Sequence, residues 1–230
     1  MDGPSAESWT AVLLSLQVAG VATLASLPVA VATAWVLARK RFPGHGLLNT
    51  LVHLPLILPP VVTGYLLLVT FGRRGPVGAF LFETFGVTLA FRWTGAALAG
   101  AIMAFPLIVR AIRLSMEAVD PKLEAAAATL GARPLTVFAT VTLPLVAPGI
   151  LAGGVLGFAK ALGEFGATIT FVSNIPGQTQ TLPSAIYTFL QVPGAEGDAL
   201  TLVAIAVVIA VAALLLSEWL ARRVADRIAG

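Results

Sequence analysis

Cysteine is absent from the 230 residues, which excludes disulfides, thiolate zinc sites, iron–sulfur clusters and a cysteine nucleophile, and says nothing of redox compartment. Charge is scarce as well. Asp, Glu, Lys and Arg make up 11% of the chain, 58% of it is hydrophobic, and the mean hydropathy is +0.94. A water-soluble domain of this size cannot hide so much apolar matter in one core, so the chain reads as an integral membrane protein. Its apolar runs use most of the length as spanning segments and leave loops too short to fold separately. Residues 1–230 are therefore expected to form a single membrane domain. The formal charge of +3 and pI near 9.8 do not point to nucleic acid, because the basic residues flank apolar runs instead of forming one dense patch with interleaved aromatics.

Residues 8–38 hold no ionisable group, and the run ends at Arg39-Lys40-Arg41. A hydrocarbon core of about 30 Å takes about 20 helical residues, so this is a full span with room to tilt. Asp2 and Glu7 precede it where a cleavable signal would carry Lys or Arg, and it is expected to be retained. A second run, 47–71, is interrupted by His53, Pro55, Pro59 and Pro60. A third lies between Arg92 and Arg110 with Trp93 placed for an interface, a fourth opens at Pro144 and passes Gly157 toward Glu164, and the last covers 199–217. Residues 182–191 are apolar but short, and read as a half-helix or re-entrant piece on the outer side.

Five crossings with the N-terminus outside place Arg39, Lys40, Arg41, Arg110, Arg113, Lys122, Arg133, Arg222, Arg223 and Arg227 in the cytoplasm. Only Arg73, Arg74 and Arg92 fall outside, and Lys160 stays in a membrane segment. The excess of Lys and Arg on one side favours this orientation, with a cytoplasmic C-terminus, over its inverse. Each proline of the second span lacks an N–H and crowds the preceding turn, so a kink is expected there. Non-helical backbone in a membrane is tolerated where protein or a water-filled cavity covers it, which makes Pro59 and Pro60 candidates for a pathway wall, with packing as the alternative. Gly149, Gly153 and Gly157 recur every four residues and form a smooth stripe for close helix approach.

Between the third and fourth spans the sequence reads Asp120-Pro121-Lys122-Leu123-Glu124-Ala125-Ala126-Ala127-Ala128-Thr129-Leu130-Gly131. Asp120 suits an N-cap, Pro121 the first helical position, Glu124 the positive end of the dipole, and Gly131 a left-handed stop. Leu123, Ala126, Ala127 and Leu130 share one narrow apolar face. Such a helix is too short to stand alone in water and is shaped for a groove on another protein, the alternative being a helix lying on lipid. Pro134 then restarts a short helix that returns Leu135 and Phe138 toward the bilayer.

The positions Glu124, Ala126, Ala127, Gly131, Val141 and Leu143-Pro144 resemble the EAA loop of ATP-binding-cassette importer permeases, departing from it in valine for isoleucine. The segments His53-Leu54-Pro55-Leu56-Ile57-Leu58-Pro59-Pro60-Val61-Val62-Thr63-Gly64-Tyr65, Ala161-Leu162-Gly163-Glu164-Phe165-Gly166-Ala167-Thr168 and Phe171-Val172-Ser173-Asn174-Ile175-Pro176-Gly177 are similar to the permeases of molybdate importers. The resemblance covers the chain from Trp9 to about Arg222. It implies an all-α type I importer permease fold with about five transmembrane helices, an outer half-helix and a cytoplasmic coupling segment over 120–144. It also implies a homodimer in the plasma membrane, two copies of an ATPase subunit beneath it, and an extracytoplasmic oxyanion-binding protein above. Glu124, Ala126, Ala127, Leu130 and Gly131 would contact the ATPase. ATP and Mg would be bound by that partner and no cofactor or metal by this chain, in keeping with the absence of a Gly-x-x-x-x-Gly-Lys-Ser/Thr loop. The Gly-Glu-Phe-Gly segment is shared with sulfate and tungstate permeases, and the compact length tilts the reading to molybdate.

Lys160 and Glu164 share a helix face, and counted from Pro144 they fall about 24 and 30 Å along the fourth span, near its outer boundary. A structural pair or outer-gate brace is the preferred reading over direct anion contact, since a carboxylate on the path repels a dianion. Thr168 and Thr170 offer hydroxyl donors, although Thr in such helices usually bonds its own preceding turn. Arg73, Arg74 and Arg92 form an outer basic group able to steer an anion or meet a binding protein, ordinary loop charge being the alternative. His45 and His53 are not a metal site, because no nearby Cys, Asp or Glu completes a ligand set; His45 reads as a flank and His53 as a polar residue satisfied between helices. A secondary transporter or channel would show an inverted repeat, and a hydrolase a nucleophile beside a base; neither pattern is found.

Overall fold

The computed structural model describes residues 6–229, the side chains of 221 and 224–229 excepted. Asp2 and the Arg227 side chain, used above for the retained first span and for orientation, lie outside the described residues. The chain runs through α1 (Ala6–Arg39), α2 (His45–Ile57), α3 (Pro60–Phe71), α4 (Pro76–Phe85), α5 (Trp93–Ala118), α6 (Pro121–Thr129), α7 (Pro134–Val137), a π-helical turn (Phe138–Thr142), α8 (Leu143–Leu162), α9 (Gly166–Val172), α10 (Leu182–Phe189) and α11 (Glu196–Ala229). Among the described residues, four stretches are long and apolar enough to cross a membrane: α1, α5, Pro134–Leu162 and Glu196–Leu220. Counting the bent pair α2–α3 as one span makes five.

The kink expected in that pair is a full break of 112°. Pro55 stays inside α2, and the turn falls on Leu58 (ψ 140°) and Pro59 (ψ 134°). The residue before a proline is driven out of the helical region, and with two prolines in succession both Leu58 and Pro59 are pushed into extended backbone. The fourth span likewise starts earlier than expected, at Pro134 and not Pro144. Pro144 has no N–H to give to the preceding turn, and the ladder there widens by one residue: Leu143 N donates to Phe138 O, a π-type bond. Residues 182–191 form only the eight-residue α10, about 12 Å long, too short to cross. The apolar helix α4 was not anticipated by the sequence reading.

α1, α5 and α8 make the central core. Ala19, Ala22, Ala30 and Ala34 of α1 meet Ala104, Ile108, Ile112 and Met116 of α5 and Val146 and Ala161 of α8, all buried. Helices in lipid gain little from hiding apolar surface and associate through close packing, which the alanines on α1 and the glycine stripe on α8 permit. A Cβ at Gly153 would come 3.1 Å from Ile108 O, one at Gly157 2.5 Å from Ile108 Cδ1, and one at Gly149 would collide with Ser115. A second cluster joins α3 and α9 to the first half of α5, through Leu67, Ala96, Ala99, Met103, Phe171 and Val172. α10 is tied to α1 where Leu182 N donates to Ser15 Oγ at 2.6 Å.

Candidate functional site: a capped helix, a charged pair and a proline elbow

α6 is built by its own ends. Asp120 caps it, its side chain accepting from Lys122 N at 2.9 Å. Gly131 stands at φ +86°, Ala132 N donates to Ala127 O at 3.3 Å and Gly131 N to Ala128 O at 3.0 Å, the double bond pattern of a Schellman stop. None of its residues is buried within the chain, and Leu130 is 88% exposed. The face carrying Leu123, Ala126 and Leu130 therefore lies open, with Ala127 partly covered. Leu135, expected to turn toward the bilayer with Phe138, is exposed too, whereas Phe138 packs edge-on against Trp35 at 6.3 Å.

Glu124 does something the sequence did not reveal. Its Oε1 accepts from Arg39 Nε at 3.2 Å, Arg39 Nη2 at 3.1 Å and Thr142 Oγ1 at 2.9 Å. Arg39 Nη2 also donates to Val119 O at 3.1 Å. The carboxylate thus points back into the chain and binds α6 to the end of α1 and to the π-turn.

Lys160 and Glu164 meet as the four-residue spacing requires, Nζ to Oε2 at 2.6 Å. Glu164 Oε1 accepts from Ala167 N at 3.0 Å, capping α9. The pair is lopsided: the Glu164 side chain is 2% exposed and that of Lys160 29%, so the carboxylate is hidden and the lysine side chain is the partly open partner. Its depth also differs from the count made along the sequence. A Cβ at Gly100 would lie 3.3 Å from that of Ala161 and 3.6 Å from that of Ala22, which sets Ala161 level with Gly100. Gly100 stands about 12 Å from Arg92 and about 15 Å from Arg110 along α5. Lys160 therefore sits midway between the charges that bound α5, not near one boundary. Counting from Pro144 overshoots because Pro144 lies beyond the level of those charges, Gly149 already facing Ser115.

The proline elbow rests on the same place. A Cβ at Gly166 would fall 2.8 Å from Pro60 Cβ, and one at Gly64 2.5 Å from Ala167 O, so α3 and α9 touch backbone to backbone. Pro60, Lys160, Glu164 and the buried Thr168 are gathered around the start of α9, with Pro59 at the elbow itself. Thr170 bonds its own turn, donating to Gly166 O at 2.8 Å.

The basic residues expected on the outer side are parted. Arg73 and Arg74 line one cleft of about 460 Å³ with Gly75 and Phe91, and Arg73 lies 4.2 Å from the Phe82 ring centre. Arg92 lines another of about 770 Å³ with Gln17, Thr94 and Gln178. Phe91, at φ +59°, lines both. His45 Nε2 reaches Leu37 O at 3.0 Å; His53 Nδ1 donates to Asn49 O at 2.8 Å, within its own helix and not across to another as expected.

Residues 26–230 match the family described as binding-protein-dependent transport system inner membrane component. The chain belongs to this family. Among its members, the molybdenum transport system permease protein ModB of Escherichia coli strain K12 is 61% identical over 93% of both chains. The protein of the same name from Haemophilus influenzae is 57% identical over 95% of this chain and 96% of its own. The family's importer permease fold is also seen in a crystal structure of a bacterial ABC transporter involved in import of the polysaccharide alginate, with TM-score 0.72 and 20% identity over 95% of this chain and 80% of that one. The fold is thus that of type I ABC importer permeases, as the EAA-like segment implied. The missed residues are Arg39, Thr142 and Gly166. Arg39 had a visible signal, a basic cluster ending a span, which served only for orientation; Thr142 and Gly166 had none outside their motifs.

Proposed function

We propose that this chain is the membrane subunit of an ATP-driven importer of molybdate, coupled to a separate ATPase subunit through α6. The observation that carries the reading is a rigidly capped helix with an open apolar face, supported by family membership and by close relatives named for molybdenum transport. In this reading two copies pair about a two-fold axis with the pathway between them, and two ATPase subunits grip the paired α6 helices. ATP and Mg are bound by those subunits, so hydrolysis is not this chain's work. An oxyanion-binding protein docks on the opposite, outer face, near Arg73, Arg74 and Arg92. The N-terminus is outside and the C-terminus cytoplasmic. The whole chain acts as one domain, with 120–144 as its coupling segment.

Force on α6 passes through the π-turn into α8, whose far end carries Lys160, with Glu164 just beyond it. Glu164 caps α9, and α9 bears on the Pro59–Pro60 elbow, so a shift of α8 moves the elbow and opens or closes the path. Lys160 neutralises the buried Glu164 carboxylate, which removes the repulsion a bare carboxylate would exert on a dianion. The test is uptake of labelled molybdate into vesicles holding the reconstituted complex, with sulfate and tungstate as competitors. ATP-dependent uptake that sulfate competes for poorly is expected. Preference for sulfate or tungstate would reassign the anion, and uptake without ATP or the ATPase would mark a secondary transporter or channel and overturn the reading.

A further inference from the structure

Arg39 ends α1, where a basic side chain ordinarily reaches for water, yet its side chain is only 14% exposed and that of Glu124 21%. Resting on the importer reading above, we propose that Arg39 is a positioning residue of the transport cycle. Through Glu124 it locks α6 to α1, so that a push on α6 reaches the α1–α5–α8 core instead of swivelling the helix.

The need for a lock follows from how α6 is attached. It buries no residue of its own and Ala127 is only partly covered, so apolar packing gives its attitude little support. At one end the chain leaves helical geometry at Val119 (ψ 124°) and Asp120 (ψ 120°), and at the other it reverses at Gly131 (φ +86°). A short helix between two such joints is free to rotate about them unless braced. The brace is a single carboxylate oxygen receiving three donor contacts from two elements, α1 and the π-turn. The same guanidinium takes Val119 O and so pins one of the two joints directly. Charge-assisted bonds of this kind are the stronger ones, and the planar fork of arginine can serve two acceptors at fixed angles where a lysine ammonium cannot. Thr142 reaches Glu124 from the π-turn, buried at 1% exposure. Beyond Arg39, α1 packs with Ala30 and Ala34 buried in the central core, and a helix seated on such small side chains has little slack.

A lock of this kind affects how much transport each ATP produces more than whether the ATPase binds, since the open face of α6 is untouched. The experiment uses the full complex with its ATPase and binding protein in vesicles, reading ATPase co-purification, ATP hydrolysis and molybdate imported per ATP. Arg39→Ala is expected to keep the ATPase bound and hydrolysing while import per ATP falls by about 2- to 30-fold, the range in which residues linking two sites modulate coupling. Arg39→Lys, which keeps the charge and loses the fork, stays below wild type. Arg39→Ala combined with Glu124→Gln is no worse than Arg39→Ala alone, because both break one linkage. Thr142→Val, close in shape, removes one arm without touching Arg39 and gives a smaller loss; it decides the matter if Arg39→Ala does not insert. Wild-type import per ATP in Arg39→Ala, or in Thr142→Val where that variant decides, would overturn the proposal. A wild-type complex that brings down no ATPase would instead overturn the importer reading, and this proposal with it.

Discussion

Replacing Gly131 separates backbone strain from steric clash at the stop of α6. Gly131 is held at φ +86°, and a Cβ built on it meets nothing within 4 Å. Any cost inside the chain is therefore conformational. An L-residue in the left-handed region costs roughly 1–2 kcal/mol, Asn being the side chain that visits it most readily. We expect about 1 kcal/mol for Ala and about 2 kcal/mol for the β-branched Val, or about 5- and 30-fold losses of the intact helix stop. Asn should cost less than Ala although it is larger. In vesicles, import per ATP should fall in the order Gly, Asn, Ala, Val. If Gly131 were small only to admit a partner surface, the order would follow size, with Ala ahead of Asn. Finding Ala better than Asn, or Val equal to Gly, would refute the strain argument.

Three further outcomes follow from the packing and charges. Glu164→Gln keeps an acceptor for Ala167 N but leaves Lys160 without its counter-charge; breaking a buried pair costs about 3–5 kcal/mol, reduced here to roughly 1–3 by the partly open lysine side chain. Both a lower unfolding midpoint in detergent and slower uptake are expected, and a variant equal to wild type in uptake and coupled ATP hydrolysis removes the pair from the gate. Gly157→Ala drives a methyl into Ile108 in the α5–α8 contact and should destabilise by about 1–3 kcal/mol, with Ile108→Val restoring part of it in the same unfolding measurement. An Arg73→Ala, Arg74→Ala double variant should slow uptake at low salt and approach wild type as the Debye length shrinks from about 10 Å at 0.1 M to about 3 Å at 1 M; identical uptake at every ionic strength would leave these residues as ordinary loop charge.

Local features were legible in the sequence because their causes are local. The caps of α6 are made by residues within a turn of the bonds they satisfy, and the Lys160–Glu164 contact needs only a helix and a four-residue spacing. The glycine stripe announced a close approach without saying to what; α5 became its partner only in the folded chain. The prolines of the second span were visible, yet only Leu58-Pro59-Pro60 breaks the helix, since two successive prolines exclude helical ψ at both residues before them while Pro55 forgoes one bond inside α2. α4 stayed hidden as ten residues, too few for a span.

The amino-acid sequence by itself determined that this is a helical membrane protein, where most of its spans lie, and that a capped helix interrupts them, all consequences of hydropathy and of backbone rules acting within a few residues. Tertiary structure alone decided that Glu124 turns inward to an arginine 85 positions away, that Lys160 lies level with the stretch of α5 midway between Arg92 and Arg110, and that the elbow and the charged pair meet at α9. Those relations depend on how packed helices slide into register against one another, and that register is set by the summed fit of many small side chains, Ala22 against Gly100 against Ala161 among them, which no short stretch of sequence carries.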